Sequence, residues 1–283
     1  MRYTRTGVIA ILIAAEIFIA GAIVASAGGL NSFSGLHDAR TFDYTPNMTA
    51  TVDAGQTPHV VIDDRDSTVT VVASSDGKIH VTDATHIHGW GWGSRPGQLK
   101  VEKTSDGVLI QRPSVAGRIV IFGFEFSGTQ VEVPAGATLE IRDSSGARIS
   151  DLTGTIDARS NDGSIRATNV RSDAVSLTTA DGRIILTNVD AAKLNGQTSD
   201  GSIIADNLRV GTGALRTSDG SIKVALSNAD LKVRAQTSDG SIRFNGVRQS
   251  DSPAEYTFGN GSGSLDVATQ DGSIRVTANG AQE

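Results

Sequence analysis

The chain has 283 residues with 32 Gly, 6 Pro, 5% aromatics and no Cys, which excludes a disulfide scaffold, a thiol nucleophile, a zinc–thiolate site and an iron–sulfur cluster. A formal net charge of −6 argues against nucleic acid as a partner, since that role needs a broad basic face. The 38% hydrophobic content, spread evenly as Val and Ile, is that of a folded chain and not a disordered one.

Arg2 and Arg5 precede an uncharged apolar run from Gly7 to Ala15, then Glu16, then Ile17 to Ala27. About 20 helical residues cross a bilayer core of about 30 Å, so residues 1–28 read as a membrane anchor or a signal peptide. The two leading cations, with no other before Arg40, place the N-terminus inside and the rest outside. Ala25-Ser26-Ala27 also fits the small-x-small site of a signal peptidase. Two locations therefore stand: a single-pass cell-membrane protein with an extracytoplasmic C-terminal domain, or a protein secreted after cleavage. Glu16 is costly inside a span and is a candidate contact to a membrane partner. Residues 29–41, rich in Gly and Ser, read as a flexible tether.

Residues 42–130 carry short alternating runs without a fixed period, among them Val60-Val61-Ile62, Val69-Thr70-Val71-Val72, Ile79-His80-Val81 and Ile119-Val120-Ile121-Phe122. They are expected to begin and cap the sheet formed by the rest, or to make a small domain of their own. Within them His86-Ile87-His88 with Trp90 and Trp92 is the most unusual cluster. Gly89, Gly91, Gly93 and Pro96 predict a mobile hairpin tip there. Trp90 and Trp92 are candidate binding residues, able to stack on a glycan or enter an interface. The two His lack a third and fourth ligand beyond His80 and Asp83, so neither a metal site nor a cofactor is expected.

Residues 131–280 repeat. Asp-Gly recurs at Asp162-Gly163, Asp181-Gly182, Asp200-Gly201, Asp219-Gly220, Asp239-Gly240 and Asp271-Gly272, at spacings of 19, 19, 19, 20 and 32. Three residues after each Asp stand Ile165, Ile184, Ile203, Ile222, Ile242 and Ile274. Two before stand Ser160, Thr179, Thr198, Thr217, Thr237 and Thr269. Alternation of these with polar positions is the period of a strand with one buried face. Asp-Gly suits a tight turn, with Gly accepting positive φ and Asp bonding turn amides. A 19-residue unit cannot bury its own apolar face, and stacking copies solves that. The prediction is an all-β fold, a β-solenoid of roughly 19-residue rungs, with an antiparallel β-sandwich as the alternative. The Thr share the parity of Val175 and Leu177 and should face inward. Asn169, Asn188 and Asn207 should form a ladder, and the extra residues from Ser250 to Gly263 should bulge from the stack.

At Val131-Glu132-Val133-Pro134-Ala135-Gly136, followed by these units, the chain resembles the bacterial "putative adhesin" family, β-strand-repeat proteins forming a domain family of unknown function. The resemblance covers about residues 58–278. It implies a single N-terminal membrane segment, an exported β domain and a β-solenoid, and offers no catalytic residues.

Four residues after each Asp an outward column reads Arg166, Ile185, Ile204, Lys223, Arg243 and Arg275, a flat strip and a candidate binding surface for an anionic polymer or a protein. No nucleophile elbow, phosphate loop or His-Glu-x-x-His is present in the sequence, and the Asp are spread as turns, not gathered in a cleft. The expected function is a non-catalytic exported surface interaction module. The alternatives are a membrane-anchored envelope regulator or sensor and a carbohydrate-active enzyme.

Overall fold

Between Ile165 and Thr179 the inward side chains are Ile165, Ala167, Val170, Ser172, Val175, Leu177 and Thr179. Strict alternation thus slips by one residue twice, and each slip is a corner where the strand turns to wrap a new face around the core. The first corner is Asn169, at φ 53, a left-handed conformation that Asn tolerates better than most residues. A turn at Asp181-Gly182 closes the circuit. Each rung is therefore three short faces of one continuous chain.

The computed structural model describes residues 40–113, 118–227 and 230–279; the anchor or signal expected at residues 1–28 and most of the tether lie outside them. Among the described residues no helix is long and apolar enough to cross a membrane. Strands Ile165–Thr179, Ile184–Gln197 and Ile203–Arg216 pair in parallel with Ile165, Ile184 and Ile203 in one register. Parallel ladders overturn the sandwich alternative, because hairpins would pair antiparallel. The expected β-solenoid is the fold. Its core is one continuous cluster running from Val60 to Val276.

The stacking order departs from the chain order. Strands Gly263–Ala268 and Ile274–Asn279 lie between the fourth and fifth units: Lys223 pairs Arg275, and Arg275 pairs Arg243. The chain lays down Leu231–Gln236 and Ile242–Phe244 one rung too far, then returns to fill the gap. This accounts for the 32-residue spacing. The residues expected to bulge instead contain strand Ala254–Phe258, antiparallel to Leu231–Gln236. Buried Ala254 and Phe258 pack there with Phe244, whose ring centroid is 6.4 Å from that of Phe258. Without this lid the last apolar layer would face water.

At the other end, His59–Ala73 pairs in parallel with Thr138–Ser150 and, on its far side, with Gly107–Gln111 and Gly128–Val133. Antiparallel strands then end the stack: Ile79–Asp83 on Gly128–Val133, and Lys100–Lys103 on Gly107–Gln111. Arg112 lies buried beneath them, its guanidinium paired with Asp64 at 3.0 Å and Asp83 at 2.9 Å. Thr129 donates to the second Asp64 oxygen.

Candidate functional site

The turns decide how closely rungs stack. A Cβ on Gly201 would stand 1.8 Å from the carbonyl oxygen of Gly182, and one on Gly220 2.0 Å from that of Gly201. None of the six glycines of the Asp-Gly turns has positive φ. Glycine is needed there for close approach, not for a left-handed backbone as expected. The turn Asp also differ from expectation. Asp200 and Asp219 are exposed, and the amides of Gly201 and Gly220 donate to the hydroxyls of Thr198 and Thr217 instead, each at 3.2 Å. Those Thr face inward, as their parity predicted, and each hydroxyl in turn reaches carbonyls of the preceding rung.

The Asn ladder is present and longer by one rung. Asp151, Asn169, Asn188 and Asn207 all have positive φ, and the amides of Asn169, Asn188 and Asn207 donate down the column at 3.1, 3.0 and 2.8 Å. It stops because the next rung loses a residue at this corner, so that Leu226 pairs Leu208.

This regularity delivers the outward column in register. Arg148, Arg166, Ile185, Ile204, Lys223, Arg275 and Arg243 follow one another on adjacent strands, and Arg248 lies beside Arg243. Arg243 therefore neighbours Arg275, not Lys223 as the chain order suggested. Arg148, Arg166, Lys223, Arg275 and Arg248 are exposed; Ile185, Ile204 and Arg243 are half-buried. The sequence reading missed Arg148 and Arg248. Arg148 belongs to a rung whose turn is Ser145-Gly146, one residue tighter and without the Asp used for counting. Arg248 sits on the hairpin Val247–Arg248 outside the repeat.

The column is electrostatically unusual. Several cations elsewhere on the coil have carboxylate partners: Arg142 with Glu140 at 2.9 Å, Arg159 with Asp157 at 2.8 Å, Arg65 with Asp143 at 2.7 Å, Lys232 with Glu255 at 2.9 Å. Lys193, Arg209, Arg216 and Arg234 have none within 4.0 Å among the described residues, but none of these has a cation as its register partner. What sets the column apart is its run of adjacent cations. Among the described residues, none of the six cations of the column has a carboxylate within 4.0 Å. Adjacent strands are about 4.8 Å apart, where two like charges in water repel by about 0.9 kcal/mol before screening. Four neighbouring pairs bear this cost in a chain of net negative charge.

A hollow of about 910 Å³ lies on another face and is lined by Arg171, Asp190, Lys193, Arg209 and Asp230. Its charges are of mixed sign: Asp190 is in register between Arg171 and Arg209, 3.5 Å from the former. It offers a ligand no run of like charge comparable to the column.

Trp90 and Trp92 are placed differently from expectation. His86–Gly93 is not a mobile tip but the central strand of a three-stranded antiparallel sheet with Arg40–Tyr44 and Arg118–Phe126. Alternation of Gly with aromatics reads as a loop by composition. Here Gly89 and Gly91 let the neighbouring strand approach, since a Cβ on Gly91 would stand 1.9 Å from the carbonyl of Ile119. The Trp90 ring lies 5.5 Å from Trp92 and 6.4 Å from Phe122. His86 lies 3.3 Å from Thr45, and His88 against Phe124; among the described residues no three His, Asp or Glu converge on a metal position. Among the same residues no ladder joins this sheet to the cationic column.

The family model described as Toastrack DUF4097 matches residues 142–277. No curated protein matches the chain. Three solved structures are similar at low identity. A "putative cell adhesion protein" from Clostridium sporogenes is 11% identical, with TM-score 0.41, over 85% of this chain and 100% of its own. A "putative adhesin" from Bacteroides fragilis is 10% identical, with TM-score 0.43, over 82% and 96%. Another from Parabacteroides merdae is 11% identical, with TM-score 0.33, over 81% and 95%. At these TM-scores the three carry no argument about this chain. The family match falls on the Asp-Gly coil and agrees with the resemblance expected from it: residues 142–277 are similar to the Toastrack DUF4097 family.

Proposed function

We propose that this protein is a non-catalytic, exported surface interaction module, held at the outer face of a membrane by residues 7–27, whose cationic column binds an extended anionic polymer. The observation that carries it is the run Arg148, Arg166, Lys223, Arg275, Arg243 and Arg248: six cations in register, none paired with a carboxylate among the described residues. A fold stabilised by burial has no need of adjacent like charges, which destabilise strand pairs. A ligand bringing regularly spaced anions removes the repulsion and gains charge-assisted contacts. Ile185 and Ile204 between the two basic groups supply an apolar step on which a sugar ring or side chain can rest. A repeat coil presents such a face flat and rigid, so little ordering cost accompanies binding.

Binding of alginate and of uncharged dextran by titration calorimetry tests the reading. Alginate is expected to bind and dextran not. R166E/K223E/R275E should weaken alginate binding at least about 100-fold, since each charge-assisted contact contributes about 1.5–3 kcal/mol. Equal binding of both polymers, or an unaffected variant, would contradict it.

A further inference from the structure

The sheet that carries Trp90 shares no ladder with the coil among the described residues, yet it presents the largest apolar groups left in water there. On one of its faces Trp90 is opposite Phe122, His88 opposite Phe124 and His86 opposite Phe126. Phe122 is 71% exposed, Phe124 59%, Phe126 50% and, further along the strand, Ile119 64%. Scattered single apolar residues on a surface are ordinary, but a contiguous aromatic face marks a contact.

Where the chain enters this sheet says what covers that face. The first described residue, Arg40, begins the strand Arg40–Tyr44, and Thr41 pairs with Trp90 itself. Upstream lie only residues 28–39 between this strand and the apolar run that ends at Ala27. Fully extended, twelve residues span at most about 43 Å, so a bilayer entered by residues 7–27 is always within reach of this sheet. Trp gathers at the headgroup level of membranes, where its ring body leaves water and its N–H keeps a polar partner, and Phe beside it supplies the apolar area that enters the boundary with the acyl chains. The coil's apolar core is enclosed between rungs, which leaves this face as the apolar contact nearest the tether.

We propose that the aromatic face formed by Trp90, Phe122, Phe124 and Phe126 seats in the headgroup layer of the phospholipid bilayer that residues 7–27 enter, fixing the coil's orientation to the membrane. This rests on the anchor in the proposed function and goes beyond it, since a tether alone leaves the coil free to turn.

The chain's two Trp are Trp90 and Trp92, so intrinsic Trp emission reads this sheet alone. The full chain is reconstituted into phosphatidylcholine–phosphatidylglycerol vesicles, plain or with brominated phosphatidylcholine. Co-sedimentation reads the anchor, and bromine quenching reads the seat. The expected result is a sedimenting chain whose emission falls about two-fold or more with bromine, as for a ring at headgroup depth. In F122S/F124S/F126S the quenching should be lost while sedimentation persists. A chain that sediments yet emits equally in both vesicles overturns the seat and leaves the anchor standing. A chain that does not sediment overturns both. A concentration-dependent blue shift without bromine quenching assigns the face to a second copy and also overturns the proposal. Should the triple substitution unfold the sheet, the comparison of plain and brominated vesicles on the unaltered chain still decides.

Discussion

The hydroxyl of Thr198 stands 2.9 Å from the carbonyl oxygen of Gly182, a residue of the preceding rung, and accepts a bond from the amide of Gly201 in its own turn. One buried side chain thereby satisfies backbone groups on two successive rungs, and the hydroxyls of Thr217, Thr237 and Thr269 likewise reach the carbonyls of Gly201, Gly272 and Gly220. Thr198→Val keeps the shape and leaves these groups unpaired, so it should cost about 1–3 kcal/mol. Thr198→Ser, which keeps the hydroxyl, should cost less. Urea unfolding of both variants checks the difference; equal losses would show that packing, not the hydroxyl, stabilises the turn.

Glycine serves two separate purposes, and they predict different penalties. At Gly201 the obstacle to a side chain is a backbone oxygen, only 1.8 Å from where a Cβ would stand, and it cannot yield without separating two rungs. Gly201→Ala should prevent folding or lower stability by more than about 3 kcal/mol, beyond ordinary overpacking. At Gly246, with φ 83 and open space around it, only the left-handed backbone resists, and Gly246→Ala should cost about 1–2 kcal/mol. Thermal unfolding of the pair separates them.

Burial raises the pKa of the Asp83 carboxyl, but the guanidinium of Arg112 and the Thr85 hydroxyl and amide together outweigh it, so the group sits below the usual aspartate value. A depressed folded pKa adds stability that is full above the ordinary aspartate pKa near 4 and is lost as pH falls through the lower folded value. The cap should therefore loosen in acid before the repeat rungs. Asp83→Asn leaves Arg112 without one of two buried partners and should cost about 3–5 kcal/mol at neutral pH. Its stability should also fall less steeply with acid, and hydrogen exchange at Val81 and Ile110 from about pH 7 to about pH 3 reads both effects.

The cations of the column should contribute nothing to stability. Lys223→Gln and Arg275→Gln together remove a repelling pair and should leave the unfolding midpoint unchanged or slightly raised at low salt, by no more than about 1 kcal/mol. A marked drop would show that these side chains hold the fold and would remove the electrostatic basis of the binding surface.

The legible part of the fold is what repeats. Ile at a fixed offset from Asp-Gly, the inward Thr and the Asn corner all follow from one alternation pattern imposed by a shared core, and they are found in register. The insertion of Gly263–Asn279 before Leu231–Phe244 is not legible, because Ile222 meets an equivalent Ile whether the next rung is Ile242 or Ile274. Local residue types cannot distinguish neighbours that look alike. Nor does the sequence announce the Arg112 pairings, since Asp64 and Asp83 are remote from it along the chain and join it only when the cap closes over them. In the aromatic sheet Gly-rich composition suggests a turn, whereas the glycines there admit a close strand.

The absence of Cys makes paired-cysteine cross-linking the most direct test of in-register rungs and their order. Lys223 and Arg275 are register neighbours, while Arg243 lies one rung further on. Under mild oxidation K223C/R275C should form an intramolecular disulfide readily, within the reach of about 4.4–6.8 Å between Cα atoms, and K223C/R243C should not. Cross-linking of K223C/R243C with K223C/R275C remaining free would instead describe a coil stacked in chain order and contradict the account.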